Sequence, residues 1–95
     1  MTTTKTISQI KVEKLTEQKL QNLKVTTWPI WTKEPSTFDW QYDESETCYF
    51  LEGNVTVKTP DGSVTFGKGD LVTFPPGLSC TWHVKKAVKK HYKFG

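Results

Sequence analysis

The sequence predicts an all-β fold, a small barrel with one short N-terminal helix. Three observations carry this. From Val25 onward the chain breaks into short apolar runs recurring every roughly 8–12 residues between Gly- and Pro-containing turns, the pattern of a barrel or sandwich. Within those runs the residue type alternates with a period of two, most clearly where Phe38, Trp40 and Tyr42 interleave with Asp39 and Gln41. Helical spacing occurs once, between Thr16 and Leu23, with no βαβ alternation and no repeat.

Taken in order, Ile7 to Val12 alternates at Ile10 and Val12 and reads as an edge strand. Thr16 can cap a free helix amide, Glu17 suits the first turn, and Leu20 and Leu23 give a short helix its apolar stripe. Trp28-Pro29-Ile30-Trp31 is extended, because Pro29 excludes α geometry at Trp28, and Lys33 to Ser36 is a loop. Phe38 to Tyr42 is a strand that Asp43-Glu44-Ser45 ends; Thr47 to Leu51 is the next. Glu52-Gly53-Asn54 reads as a tight turn into Val55-Thr56-Val57. Thr59-Pro60-Asp61-Gly62 is a turn by its Pro and Gly, followed by a strand with Val64 and Phe66 on one face. Gly67 to Asp70 turns again, Leu71 to Phe74 is a strand, and Pro75-Pro76-Gly77 ends it. Ser79–Lys85 and Val88–Phe94 read as two final strands.

Ninety-five residues make one domain, here 1–95, with a strand and helix over 1–25 and the barrel over 26–95. Four Trp, five Phe and three Tyr supply the core of a chain only 35% hydrophobic; each ring can bury about 150–250 Å². No apolar run approaches the ~20 residues of a membrane span. Met1-Thr2-Thr3-Thr4-Lys5 has no apolar signal core, so the expected location is cytoplasmic, with no membrane partner. All thirteen basic residues are Lys. Without Arg, the side chain that forks onto phosphates and guanine, no nucleic-acid partner is expected. The C-terminal cluster Lys85, Lys86, Lys89, Lys90 and Lys93 reads as a solvated edge strand. Two cysteines are too few for a disulfide framework, and no Cys/His zinc spacing, HExxH or phosphate loop occurs.

Two stretches match something more specific. Glu46-Thr-Cys-Tyr-Phe-Leu-Glu-Gly53 fits the Glu-x6-Gly half of one motif, and Gly69-Asp-Leu-Val-Thr-Phe-Pro75-Pro-Gly77 fits the Gly-x5-Pro-x-Gly half of another. Fifteen residues lie between Gly53 and Gly69. In these frames the chain resembles the cupin superfamily. With Phe38-Asp-Trp40-Gln-Tyr42 and Phe74-Pro-Pro-Gly-Leu-Ser-Cys80-Thr-Trp82, it is similar to the short single-domain cupins related to the ureidoglycine aminohydrolase cupin domain. The resemblance implies a jelly-roll-like barrel, Gly53 and Gly69 at hairpin turns, and homodimers through a sheet face. It does not imply the family's divalent metal or ureidoglycine hydrolysis. Trp40 and Tyr42 stand at the two motif-one histidine positions, Cys80 at the motif-two histidine and Val84 at the closing Asn, so only Glu46 of the usual ligands is present.

Alternation fixes which neighbours share the barrel interior. Cys80, Trp82 and Val84 go together, leaving His83 outside; Glu46, Cys48 and Phe50 go together. The candidate pocket is Trp40, Tyr42, Glu46, Cys48, Cys80 and Trp82, with Tyr92 or Phe94 from the end of the chain. Two readings stand open, a hollow site for a small organic molecule and a barrel plugged by its own aromatics. Glu46, inward among rings, suits a general acid or base, or else is a structural carboxylate hydrogen-bonded by Tyr42 or Trp40. Cys80 is a thiolate ligand, a nucleophile or an inert thiol; a neighbouring carboxylate and apolar walls argue for the last. No cofactor is expected. A divalent metal on Glu46 and Cys80, with Cys48, is the alternative, and a Cys48–Cys80 disulfide is disfavoured. His83 and His91 read as surface residues. The expected function is a small-molecule-binding barrel with a degenerate metal site. Its alternatives are an enzyme using Glu46 or Glu46 with Cys80, and a structural barrel acting as a homodimer.

Overall fold

The protein is described by a computed structural model covering the backbone of residues 5–7 and the whole of residues 10–95. The two longest strands organise it. β5 (Glu46–Thr59) and β8 (Ser79–Phe94) run antiparallel along each other for most of their length. Among the described residues both contribute to the two halves, or faces, of one continuous eight-stranded sheet. In one, β1 (Lys5–Ile7), β2 (Ile10–Lys14), β7 (Asp70–Phe74), the first part of β5, the last part of β8 and β3 (Ile30–Lys33) lie side by side. In the other, β6 (Gly62–Gly67), the last part of β5, the first part of β8 and β4 (Ser36–Gln41) do so. Among the described residues this makes eight strands, all paired antiparallel, and a barrel whose core is Phe50, Val55, Val57, Val64, Phe66, Val72, Phe74, Trp82, Val84 and Val88.

The bend that lets β5 serve both halves is a bulge at Gly53. Glu46, Cys48 and Phe50 are buried before it, Val55 and Val57 after it, so the inward face changes from even to odd numbers. The register with β8 slips over the same residues, from Phe50 opposite Lys90 to Val55 opposite Val84. Between those two pairs five steps on β5 meet six on β8, with register breaks at Phe50/Glu52, Glu52/Asn54 and Asn54/Val55, and the net slip of one residue reverses the inward parity of β5 relative to β8. Gly53 therefore does not sit in a hairpin turn, as its motif suggests, but inside a continuous strand. It holds φ 124°, and a Cβ there would lie 2.9 Å from Val88 Cγ2 and 3.1 Å from the Ala87 carbonyl oxygen. Gly53→Ala is expected to cost about 2–4 kcal/mol through backbone strain and overpacking. Urea unfolding measures it, and a loss below about 1 kcal/mol would contradict the bulge.

The other turns follow their sequence signals. Thr59 pairs with Gly62 across the β5–β6 hairpin, and Gly69, at φ 87°, makes the turn into β7 and donates its amide to the Phe50 carbonyl at 2.8 Å. Thr16 caps α1 (Glu17–Leu23), accepting from the Lys19 amide at 3.2 Å. The helix buries no residue completely; Leu20 is half-buried and Leu23 exposed, so its stripe is only lightly used.

Three expectations are corrected here. The strand expected over residues 7–12 falls partly on Ser8 and Gln9, outside the described residues; on either side of them β1 and β2 are separate strands that pair, and β2 also pairs with β7. The two strands expected at the C-terminus are one, because the charged stretch Lys85–Ala87 stays in the ladder, Lys86 opposite Asn54 at the bulge. That strand is not an edge either: β5 flanks it on one side, β3 and β4 on the other.

Candidate functional site

Nine side chains surround a cavity of about 210 Å³ at one end of the barrel. Trp31 comes from β3, Phe38 and Trp40 from β4, Tyr42 from the segment after it and Glu46 from the start of β5. Trp82, Lys90, Tyr92 and Phe94 all come from β8. Trp40 and Phe94, each 50% exposed, form the rim. Tyr42 is held by its backbone, which accepts from the Gly77 amide and donates to the Leu78 carbonyl at 2.9 Å, so the Pro-Pro-Gly loop positions this wall. Its ring stacks on Phe74 at 4.7 Å, and its hydroxyl accepts a 3.2 Å hydrogen bond from Trp82 Nε1. Burial, with Cys48, Glu46 and Cys80 nearby, drives the phenol far above its ordinary pKa, so Tyr42 stays protonated.

The inner end of the cavity is ionic. Lys90 is 4% exposed, and Glu46 is buried with it. Lys90 Nζ donates to Glu46 Oε2 at 3.3 Å and to Cys48 Sγ at 3.1 Å, while the Cys48 thiol donates to the same Glu46 oxygen at 3.4 Å. The three groups thus close a ring of hydrogen bonds in which every member has a partner. Register explains their meeting: Lys90 lies opposite Phe50 on β5 and opposite Trp31 on β3. The ammonium accordingly sits 4.8 Å from the Trp31 ring, 4.8 Å from Trp82 and 5.8 Å from Phe50. Cation–π attraction of this kind reaches about 2 kcal/mol when desolvated. The Lys90 reading as part of a solvated edge is overturned, because β8 is internal and residue 90 shares the inward parity of Trp82 and Val88.

The sequence-expected residues are distributed as follows. Trp40, Tyr42, Glu46, Trp82, Tyr92 and Phe94 line the cavity. Cys48, fully buried, lies behind the wall and reaches the site through Glu46 and Lys90; burial chiefly, with Glu46 added and Lys90 opposing, pushes its thiol up to about 12. Cys80 does not line the cavity. Paired with Trp40 on β4, it is buried in the core and lies beneath a shallow depression lined also by Asp39, Trp40, Gln41, Ser79 and Thr81. Burial and Asp39, opposed by the Trp82 indole, push its thiol up to about 11. Both cysteines are free. Among the described residues no three His, Cys, Asp or Glu side chains stand together as a metal-ligand set. His83 is exposed, but His91 is buried rather than superficial, its Nδ1 within 2.9 Å of the Trp28 carbonyl, because the 3-10 turn Val25–Thr27 and Trp28 lead across that face. Trp31, Phe38 and Lys90 were not expected at the site.

Residues 20–92 match the family model described as an EutQ-like cupin domain. The chain belongs to the EutQ-like cupin family. This cupin is also similar, at 56% identity, to a DUF861-family protein of Thermotoga maritima; the match covers 90% of this chain and 99% of that one with a TM-score of 0.88. The EutQ protein of Clostridium difficile shares its fold at 18% identity and TM-score 0.64, over 90% of this chain and 66% of that one. A putative ethanolamine utilization protein Q of Salmonella typhimurium does so at 17% and 0.63, over 90% and 68%. This cupin thus spans about two thirds of the two EutQ chains. Comparison with curated proteins found no match. Among the described residues no helix is long and apolar enough to cross a membrane.

Proposed function

We propose that this cupin is a cytoplasmic small-molecule-binding barrel in which a lysine has taken over the role of the family's metal. The observation that carries this reading is the Lys90 ammonium 3.3 Å from Glu46 at the inner end of an aromatic cavity. In a metal-binding cupin, Glu46 and the positions of Trp40, Tyr42 and Cys80 would supply ligands. Here three of the four are replaced, and the remaining carboxylate has its countercharge from within the chain. The residues present do not fit a resident metal ion. Glu46 already accepts from two donors, the Cys48 thiol is held protonated, and Cys80 is outside the cavity lining. Kinship with the ureidoglycine aminohydrolase cupin domain is, in this reading, kinship of the barrel, without the hydrolysis.

A neutralised floor beneath aromatic walls favours a flat, uncharged ligand. A cationic ligand is disfavoured, since Lys90 occupies both the carboxylate and the ring faces that would receive one. Benzyl alcohol is a suitable probe. In ¹⁵N spectra it should shift the indole N–H signals of Trp31, Trp40 and Trp82 and leave that of Trp28, outside the cavity lining, in place. Signals that stay fixed at millimolar probe would refute the pocket. Homodimerisation through a sheet face is a separate proposal from the family resemblance; a monomer in concentrated sedimentation runs would reject it.

A further inference from the structure

We propose that Lys90 captures carbonyl compounds, condensing through Nζ with a small uncharged aldehyde or ketone to form an imine, with Glu46 carrying the proton. This rests on the reading of the cavity as a ligand pocket and adds the substrate class and the chemistry.

Lys90 differs from the chain's other described lysines in being buried. A lysine amine desolvated in an apolar pocket is the form that proteins use for Schiff-base chemistry. Two of the three N–H bonds of its ammonium are taken by Glu46 and Cys48, which leaves one for the cavity that Lys90 lines. The 3.3 Å contact with Glu46 is a direct route for a proton, and its transfer turns an ion pair into two neutral groups, relieving the desolvation of both charges against the lost cation–π attraction of the rings.

The step balances without an added reactant. Glu46 takes a proton from the ammonium, and the freed nitrogen lone pair forms a bond to the carbonyl carbon as the C=O π electrons move to oxygen. Glu46 returns the proton to that oxygen, giving a carbinolamine. Glu46 next takes the second proton from the nitrogen, whose freed lone pair expels the hydroxyl as Glu46 returns that proton to it, and the hydroxyl leaves as water. A protonated imine remains beside the Glu46 carboxylate, one positive and one negative charge as at the start. Cys48, the other nucleophile in contact, is fully buried and held as a thiol, so the amine is the group that reacts.

The same charge balance sets the class of substrate. Among the described residues Lys90 is the one cation lining the cavity, and it stays paired with Glu46 throughout. A carboxylate on the incoming molecule would meet Glu46 with no cation to spare. Uncharged aldehydes and ketones with an aromatic or short apolar remainder fit walls made of Trp31, Phe38, Trp40 and Trp82.

Trapping tests this directly. The full chain is treated with one equivalent of benzaldehyde and cyanoborohydride, and the benzylated lysines are located by peptide mass spectrometry. Lys90 should be modified at least about tenfold more than Lys89 or Lys93 on the same strand. Excess benzyl alcohol should suppress the adduct at Lys90 and not at Lys93, and benzoylformate should trap less than benzaldehyde. Labelling at Lys90 no greater than at Lys89 and Lys93 would overturn the proposal. If benzyl alcohol still moves the three indole signals in that case, the pocket stands and the imine alone is refuted; if it does not, the pocket reading fails too. Lys90→Arg should lose the adduct at position 90 while Lys89 and Lys93 are labelled as before.

Discussion

Lys90→Met should lower the stability of the protein by about 3–5 kcal/mol, because it leaves the Glu46 carboxylate buried without its cation. Glu46→Gln should cost a comparable amount by stranding the ammonium among Trp31, Trp82 and Phe50. In a domain of this size each kcal/mol moves Tm by about 4–8 °C, so either variant should melt lower by on the order of 15–30 °C. The double variant should recover much of the loss, since removing both charges also removes their desolvation penalty, and that recovery separates a buried pair from two independent contacts. Chemical and thermal unfolding of the four proteins gives the coupling directly. Single variants within about 1 kcal/mol of the parent would mean that the pair is solvated, and additive losses would mean that the two side chains act separately.

Trp82→Ala should be as damaging, at about 3–5 kcal/mol. Its ring is stacked on Phe38 at 5.9 Å and meets Trp31, Phe66 and Phe74 within 6.1 Å, so truncation opens a hole where both halves of the sheet converge. It also removes the donor to the Tyr42 hydroxyl, a phenol that burial keeps protonated. Trp82→Phe isolates that contribution, since it keeps most of the ring and loses the N–H; its cost should be about 1–2 kcal/mol. Guanidinium titration of both variants decides. A Phe variant as unstable as the Ala variant would shift the explanation from packing to the hydrogen bond.

Much of this site could be read from the chain because strand alternation is a strict rule over short distances. The parity of Cys80 and Trp82 places Trp82 inward and His83 outward, and both lie so. The rule also reaches Lys90, ten residues beyond Cys80, but only if the strand is unbroken. Four lysines in Lys85–Lys90 suggest an interruption and a wet edge, which hides the one lysine that points inward. Composition is blind to this because it does not distinguish the two faces of a strand. Cys80 shows the converse: inward parity does not place a residue at the cavity, since it lies further along the strand, across from Trp40. The bulge at Gly53 was visible as a glycine but not as a phase change, because Glu-Gly-Asn fits a turn equally well. Trp31 arrives from β3, a strand whose partner is far away in sequence, and no local pattern specifies that pairing.

The central place of β8 also bears on how the molecule acquires its shape over time. Among the described residues β3 and β4 find their ladder partner in β8, some fifty residues further along the chain, and the bent half of β5 leans on it as well. Until residues 79–94 are synthesised, those strands have no stable place to dock, and the aromatic side chains of Trp31, Phe38 and Trp40 remain uncovered. Pairing across such separations is slow, on the order of milliseconds to seconds. A chain emerging from the ribosome can form the β5–β6 hairpin and the β2–β7–β5 ladder early, but the barrel closes only once β8 is available to join β3, β4 and β5.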